Sequence, residues 1–512
     1  MTRRLDFRSR KLLCIGLTLF WLLALLAGRE YIRDSVHFDV SGLIRLWGLF
    51  GWGALIWSVG SWRYLRRETM CAYNAFLIVI YMFTFGHSLV LGLGVVLEFD
   101  WLLSQMLYEE LLQAQIFTLL CLVSFHMGAL ISCGESPRSE DLGVIAGDAI
   151  GSRSVKMVGT LLAWGSAAPY IINMANRISV VAMHGYGGLF DYTDIHVVRG
   201  TTIYSRVLAL AGSFFIPALI CLLVTERRST PKRSLIFLML LASASAELYI
   251  GSRGRAMITI LVTGLLYHYV VQRISIRTAT WAVAPAYVVV SFLTVIARLR
   301  TVAGNDTRNF LGAFVDAFGR ENLFIQSIIE IGGTMFPLAM VMRLVERGLP
   351  LFYGKSYVYA ITTIVPNLGF WTVHPAIFYS EGSHWLMRHL NMSAGPGFSL
   401  HADAYRNFGE WGFIFLAVFG ALLGRVYSLV HDRTAHSTPA RLALVLIFAH
   451  GTMFAARGDS LNIVRPLIYI VAPIYLMMYL VDRKWGATRP TQFVSGEKFR
   501  PTFAANACGR VE

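Results

Sequence analysis

The chain has 512 residues, of which 56% are hydrophobic and 15% charged, and its formal net charge is +15. Apolar runs of membrane-spanning length recur along most of the chain, which excludes an ordinary soluble protein. Only helices and closed barrels satisfy their backbone hydrogen bonds in lipid, and barrel strands would be shorter and alternating. We therefore predict an all-α polytopic membrane protein.

A membrane span needs roughly 20 largely apolar residues. About twelve runs are of this kind: 12–28, 46–62, 72–96, 113–133, 156–175, 205–225, 234–250, 254–271, 279–297, 408–430, 440–456 and 462–481. The first run follows a basic N-terminus but lacks a small-residue cleavage site. We interpret it as a retained helix and not as a signal peptide.

Lysine and arginine in the short loops predict the orientation. If the N-terminus is cytoplasmic, every inside loop carries at least two basic residues, and the densest cluster lies within 227–233. Both termini are then cytoplasmic. The positive net charge reflects this topology and attraction to anionic membrane lipids, and we expect no nucleic acid binding.

The predicted topology divides the chain into four regions. Residues 1–297 form transmembrane helices one to nine, 298–407 a large outer loop, 408–482 helices ten to twelve, and 483–512 a cytoplasmic tail. A loop of that length should contain short helices of its own. Within it, Ile331 to Leu344 is apolar enough for a helix that lies on the membrane or dips into it.

Two short turns carry arginines on the outer side, against the usual charge distribution. Gly251-Ser252-Arg253-Gly254-Arg255 separates spans seven and eight, and Ala456-Arg457-Gly458-Asp459 separates spans eleven and twelve. A guanidinium grips phosphate with two hydrogen bonds, and glycines let backbone N–H groups approach an anion at a helix start. We expect Arg253, Arg255 and Arg457 to bind a lipid-linked pyrophosphate; the alternative is that they reach lipid headgroups or cap helices.

A second group of polar residues, within 397–412, leads into span ten. If this segment is helical, His401 and Tyr405 share one face, and Asp403 and Arg406 share another. Asp403 or His401 could take a proton from a sugar hydroxyl, so we predict a catalytic site of Asp403, His401 and Tyr405. The alternative is ordinary interfacial composition with an exposed Asp–Arg pair.

Weaker candidates surround these two groups. Glu247, inside span seven, should pair with an arginine because an unpaired carboxylate is costly there. Tyr186 and Asp191, in the loop after span five, are expected to line one cavity with Arg298. The remaining predicted substrate-binding residues lie in or near the outer loop: Arg298, Arg320, Tyr357 and Arg406. For Arg320 the alternative is a solvated helix face.

No metal site or cofactor is expected. His374, His384 and His389 lack a compact ligand spacing, and no glycine-rich nucleotide loop follows a strand-like segment. Five of the six cysteines lie in or at the ends of apolar runs, so no disulfide framework is implied.

At these residues the chain resembles the O-antigen polymerase family (Wzy-type, oligosaccharide repeat unit polymerases). The pieces that carry the resemblance follow one another in order across residues 180–470: the Gly-Ser-Arg-Gly turn at 251–254, the Glu-Ile-Gly-Gly start at 330, Tyr353-Gly354-Lys355-Ser356-Tyr357 with Pro366 after it, Phe398-Ser399 through Gly409, and Arg457-Gly458-Asp459. The chain departs from the family pattern at Asp403, where a glutamate is expected before Ala-Tyr.

The resemblance implies a GT-C-like membrane glycosyltransferase of the bacterial inner membrane, active at the periplasmic face. Its donor and acceptor would be oligosaccharide repeat units linked to undecaprenyl pyrophosphate, and a chain-length regulator protein would be a partner. Two alternatives stay open: an O-antigen ligase, with the same donor, and a transporter or flippase of lipid-linked oligosaccharide. A transporter more often shows paired repeats and mid-membrane charges.

Overall fold

The computed structural model describes residues 6–33, 39–95, 106–134, 150–193, 203–226, 229–275, 331–365, 373–392, 397–430 and 438–486, with a few single positions between 278 and 371. Within these ranges the chain forms helices and no strand. The all-α architecture predicted from composition is therefore confirmed for this part of the chain.

The described residues of the N-terminal half form nine helices: α1 (Phe7–Arg33), α2 (Val40–Arg66), α3 (Ala72–Gly92), α4 (Tyr108–Ser132), α5 (Ser152–Thr193), α6 (Ile203–Ser213), α7 (Phe215–Thr225), α8 (Thr230–Ile250) and α9 (Arg253–Val270). Nine more follow residue 331: α10 (Met335–Glu346), α11 (Lys355–Ile361), α12 (Pro375–Ser380), α13 (Gly382–Leu390), α14 (Leu400–Phe408), α15 (Gly412–Tyr427), α16 (Pro439–Thr452), α17 (Leu461–Pro466) and α18 (Ala472–Gly486). A 3-10 segment, Met453–Arg457, extends α16, and a π-helical segment, Leu467–Val471, joins α17 to α18.

Ten described helical segments are long and apolar enough to cross a membrane. Of the twelve predicted spans, the eighth corresponds to α9, which is not among these ten, and the ninth, 279–297, lies outside the described residues. The tenth begins earlier than predicted, because α14 and α15 form one continuous segment, Leu400–Tyr427. The protein is a multi-pass membrane protein.

The helix ends sort into two sides of the bundle. On one side Lys11 Nζ donates to the carbonyl of Cys133 over 2.8 Å, and the Asp482 carboxylate accepts from Gly151 N over 2.9 Å. On the other side Arg29 pairs with Glu410 at 2.5 Å. These contacts join ends that the alternating topology assigns to the same membrane face.

Small residues allow α4 and α15 to pack in direct backbone contact. A Cβ atom on Gly128 would lie 1.7 Å from the carbonyl oxygen of Ala417, and one on Gly420 would lie 1.9 Å from that of Phe125. Close approach through glycine is how membrane helices gain van der Waals contact without a hydrophobic driving force. This pair fixes the position of α15 and thus of α14 before it.

Part of the outer loop enters the bundle. The predicted helix within Ile331–Leu344 is observed as α10, whose apolar residues 335–342 are all buried. The backbone before it passes α3 so closely that a Cβ on Gly332 would lie 2.3 Å from His87 N. The segment therefore dips between α3 and α4 and does not lie on the surface.

The fifth span is longer than predicted. Helix α5 runs for 42 residues with Pro169 inside it, so the backbone of Tyr186 and Asp191 is helical and not a loop. Their side chains lie outside the described part of the structure.

Candidate functional site

The two arginine turns converge on a pair of phenylalanines, although about 200 residues separate them in the chain. The guanidinium carbon of Arg255 lies 5.8 Å from the centre of the Phe454 ring, and that of Arg457 lies 5.9 Å from the centre of Phe83. Gly254 faces both rings, since a Cβ there would lie 3.3 Å from Phe454 and 3.5 Å from Phe83. We call Arg255, Arg457 and these rings the arginine cluster.

The arginine cluster is recessed in the bundle. Phe83 precedes the last residue of α3 by nine positions, which corresponds to about 14 Å along the helix axis. The side chains of Arg255 and Arg457 are nevertheless exposed, whereas Gly254, Ala256 and their counterparts Ala456 and Gly458 are buried. Both arginine side chains are therefore accessible at a level about 14 Å from the end of α3, and not only at the outer rim that charge counting indicated.

Glycine is required at the end of α8. Gly251 caps this helix with φ of 91°, a left-handed conformation that favours glycine, and α9 begins two residues later at Arg253. The tight reversal directs the N-terminal end of α9, with its positive dipole end, toward the arginine cluster. Arg253 opens α9, and its side chain lies outside the described part of the structure.

The partner of Glu247 is Arg177, in α5. Arg177 donates from Nη1 to Glu247 Oε1 over 2.9 Å and from Nη2 to Ser252 Oγ over 3.0 Å. The prediction that Glu247 pairs with an arginine is confirmed. The identity of that arginine was missed, because Arg177 lies just beyond the predicted fifth span, 156–175, whereas the helix continues through it.

Asp403 lies in a buried hydrogen-bond network. Its Oδ1 atom accepts from Ser356 Oγ at 2.9 Å, from Arg406 Nη2 at 2.7 Å and from Asn407 Nδ2 at 3.3 Å. Its Oδ2 atom accepts from Ser460 N at 3.0 Å. We call these five residues the Asp403 network, and it joins the outer loop, α14 and the turn after Arg457.

Arg406, predicted to bind substrate, is enclosed by aromatic rings. Its guanidinium carbon lies 4.8 Å from the centre of Phe352 and 5.2 Å from those of Trp385 and Phe398. Only 1% of its surface is exposed. Two of its nitrogens, Nε and Nη1, have no hydrogen-bond partner within the described ranges, so the charge is stabilised by its Nη2 contacts to Asp403 and Ser380 and by cation–π contact with the three rings.

These contacts argue against Asp403 as the proton acceptor. The side chain is completely buried, and four donors already occupy its two oxygens. A general base must reach the proton that it removes. The geometry instead favours a positioning role for Asp403, and the Asp403–Arg406 pair is a buried ion pair and not the exposed interfacial pair considered as the alternative.

The two other predicted catalytic residues also lie on α14. His401 is buried, and neither ring nitrogen has a partner among the described residues. Tyr405 packs edge-on against Phe117 of α4, with ring centres 5.0 Å apart. Their common helix face, predicted from spacing, thus turns toward the bundle.

The turn at residues 457–460 joins the arginine cluster to the Asp403 network. Arg457 belongs to the former, while Ser460 N donates to Asp403. Between them, Asp459 accepts from Gly382 N at 2.8 Å and from Asn462 Nδ2 at 3.1 Å. Burial, followed by the negative charge of Asp403, raises the pKa of Asp459 to about 7.

Tyr357, predicted to bind substrate, is packed against an aromatic neighbour. Its ring stacks on Phe415 at 4.1 Å between centres, and its hydroxyl is buried without a hydrogen-bond partner in the described regions. Burial, reinforced by the charge of Asp403, raises the pKa of Tyr357 well above its usual value. The predicted substrate-binding residues Arg298 and Arg320 lie outside the described residues.

Comparison with known families assigns the chain to a family. The family model for the O-antigen polysaccharide polymerase Wzy matches residues 55–486, which include every helix that builds the site. The chain therefore belongs to this family. Searches of curated proteins and of solved structures return no match.

Proposed function

We propose that this protein polymerises oligosaccharide repeat units carried on undecaprenyl pyrophosphate, at the periplasmic face of the inner membrane. Membership of the Wzy family makes it a membrane polymerase of glycosyltransferase type that acts on lipid-linked repeat units. The observation that carries the finer proposal is the convergence of the exposed Arg255 and Arg457 side chains on the neighbouring rings of Phe454 and Phe83.

The arginine cluster suits the pyrophosphate of a lipid-linked donor. Two guanidinium groups and the N-terminal end of α9 supply positive charge at one place, while Phe83 and Phe454 exclude water from one side of it. Within a low-dielectric bundle such charge interactions are stronger than in water. The polyprenyl tail would extend from this place into the surrounding lipid.

The reaction is a displacement at C1 of the donor sugar. A hydroxyl oxygen of the acceptor sugar forms a bond to C1, the bond from C1 to the pyrophosphate oxygen breaks, and the hydroxyl proton passes to a base. Arg255 and Arg457 stabilise the negative charge that develops on the leaving pyrophosphate. His401 is as fully buried as Asp403 and therefore fails the same test of reach, so we give it a place in the packing of α14, while Asp403 positions the turn that carries Arg457.

A second function, transport of the lipid-linked unit, has less support. The charged groups Arg177, Glu247, Arg255 and Arg457 do lie within the helix bundle, as they would in a transporter. The family match, however, is to polymerases. An O-antigen ligase would use the same donor site, and only its acceptor would differ.

Surface polysaccharide from cells tests the proposal. Cells lacking the gene and complemented with the Arg255→Ala variant should display a single repeat unit in place of a long polymer, with the variant present in the membrane in normal amount. A polymer of normal length would remove Arg255 from the reaction. Total loss of the repeat unit from the cell surface would indicate transport or ligation.

A further inference from the structure

Tyr353 is the most unusual exposed residue of the outer segment. Its φ is 48°, a left-handed conformation that bulky side chains rarely adopt, and 77% of its surface is exposed. With so much of its surface exposed, the ring gains little burial from this placement. A residue held in such a conformation at the surface indicates a functional constraint.

The backbone around Tyr353 is held firmly. Phe352 N donates to the carbonyl of Arg406 at 3.0 Å, Tyr353 N donates to that of Asn407 at 2.9 Å, and Gly354 N donates to Asn407 Oδ1 at 3.1 Å. These bonds fasten the segment to the C-terminal end of α14, which carries the Asp403 network. The ring therefore projects from a rigid support that also positions Arg457.

Tyr353 lies at the end of the bundle predicted to face outward. The residues that hold it directly precede the short 3-10 turn Gly409–Trp411, and Glu410 of that turn pairs with Arg29 at the end of α1. A Cβ atom on Gly409 would contact Leu351 at 3.4 Å, so the two segments are adjacent. An exposed aromatic ring is thus presented on the side where the repeat units are joined.

We propose that Tyr353 stacks against a sugar ring of the oligosaccharide substrate. The face of an aromatic ring carries partial negative charge, which complements the weakly positive C–H groups on the apolar face of a sugar. Tyrosine also loses little conformational entropy when it binds, and its fixed backbone lowers that cost further. The inference rests on the proposed function and assigns to Tyr353 the carbohydrate portion of the same substrate.

Binding of a lipid-free glycan to the full-length protein in nanodiscs tests this assignment. The probe is polysaccharide released by mild acid from cells that express the protein, because it lacks both pyrophosphate and lipid. Tyr353→Asn removes the ring, yet asparagine tolerates the left-handed backbone, so the fold is kept. We expect about tenfold weaker glycan binding for Tyr353→Asn, with an unchanged or higher thermal unfolding midpoint, and near-normal binding for Tyr353→Phe.

Trp411→Ala is the matched control, since Trp411 is a second exposed aromatic residue in the neighbouring turn. Unchanged glycan binding in Tyr353→Asn would overturn the assignment. Equal losses in Tyr353→Asn and Trp411→Ala would also overturn it and indicate membrane anchoring. Arg457→Ala should bind this probe normally, because the probe lacks pyrophosphate. If the proposed pyrophosphate site is wrong, the Arg457→Ala variant will make normal polymer. If the assignment of Tyr353 is wrong, glycan binding by Tyr353→Asn will be unchanged.

Discussion

The arginine cluster and the Asp403 network lie on either side of one short turn, residues 457–460, and use the same chemical groups differently. Arg457 and Arg255 are exposed and rest against phenylalanine rings. Arg406 is buried, paired with Asp403 and enclosed by aromatic rings. In the first region the guanidinium groups are exposed at the surface of the helices, and in the second the guanidinium group is enclosed and paired with a carboxylate.

The contrast separates residues proposed to bind the substrate from residues that stabilise the fold. Removing an accessible charge should abolish activity and leave the fold intact, whereas removing a buried partner should destabilise the fold first. The turn at 457–460 couples the two effects, because Ser460 N donates to Asp403. Substitutions in the arginine cluster should therefore lower activity, and substitutions in the Asp403 network should lower stability.

The largest effect on stability is expected for Asp403→Ala. This variant leaves the Arg406 guanidinium buried without its carboxylate, which should lower the free energy of unfolding by about 3–5 kcal/mol. Chemical unfolding in detergent micelles measures it. Arg347→Ala, at an exposed arginine, is the control and should change stability by no more than about 0.5 kcal/mol. An Asp403→Ala protein as stable as the control would contradict a structural role for Asp403.

Arg457→Lys should affect activity and not stability. Lysine keeps the positive charge but loses the planar fork that contacts phosphate through two bonds. We expect the polymerisation rate to fall by about 100-fold, comparable to the loss of one transition-state donor, with unfolding unchanged. The rate of polymer growth in nanodiscs with lipid-linked repeat units checks this. A variant that polymerises normally would mean that charge alone is sufficient.

Ser356→Ala should have a moderate effect on stability. It removes the hydroxyl that donates to Asp403 Oδ1 and accepts from Asn407 Nδ2, and should cost about 1–3 kcal/mol. Ser213→Ala is the control, because the Ser213 hydroxyl bonds only within its own helix and is exposed. Comparison of the two unfolding free energies decides whether the Asp403 network stabilises the fold.

The smallest effect is a pH dependence at Asp459. Because its pKa is raised to about 7, the folded protein binds one more proton than the unfolded chain between about pH 4 and pH 7. The stabilisation is complete below about pH 4 and is lost as pH rises through 7. Asp459→Asn should flatten the dependence of the unfolding midpoint over this range. An identical slope in the two proteins would contradict the raised pKa.

The sequence predicted the helices and the arginine turns because both depend on local properties. Hydropathy identifies a span wherever it lies, and charge counting placed the 251–255 and 457 turns on one side of the membrane, where the structure brings Arg255 and Arg457 together. The boundaries of α5 and α14 were less well predicted, since polar residues continue a helix beyond its apolar part.

The surroundings of individual side chains could not be predicted. The spacing of Asp403 and Arg406 places them on one helix face, whether that face is exposed or buried. Their burial depends on Ser356 and Ser460, which approach from distant segments. The left-handed conformation of Tyr353 likewise depends on hydrogen bonds to residues more than 50 positions away. These features require the tertiary structure.

The most direct test of the central claim is the binding of farnesyl pyrophosphate, a short isoprenoid pyrophosphate, to the full-length protein in nanodiscs. Wild type and Ser356→Ala should bind it, farnesol should bind far more weakly, and the Arg255→Ala/Arg457→Ala variant should lose the preference for the pyrophosphate. If the double variant, folded and present in normal amount, binds farnesyl pyrophosphate as tightly as wild type does, the arginine cluster is not the pyrophosphate site.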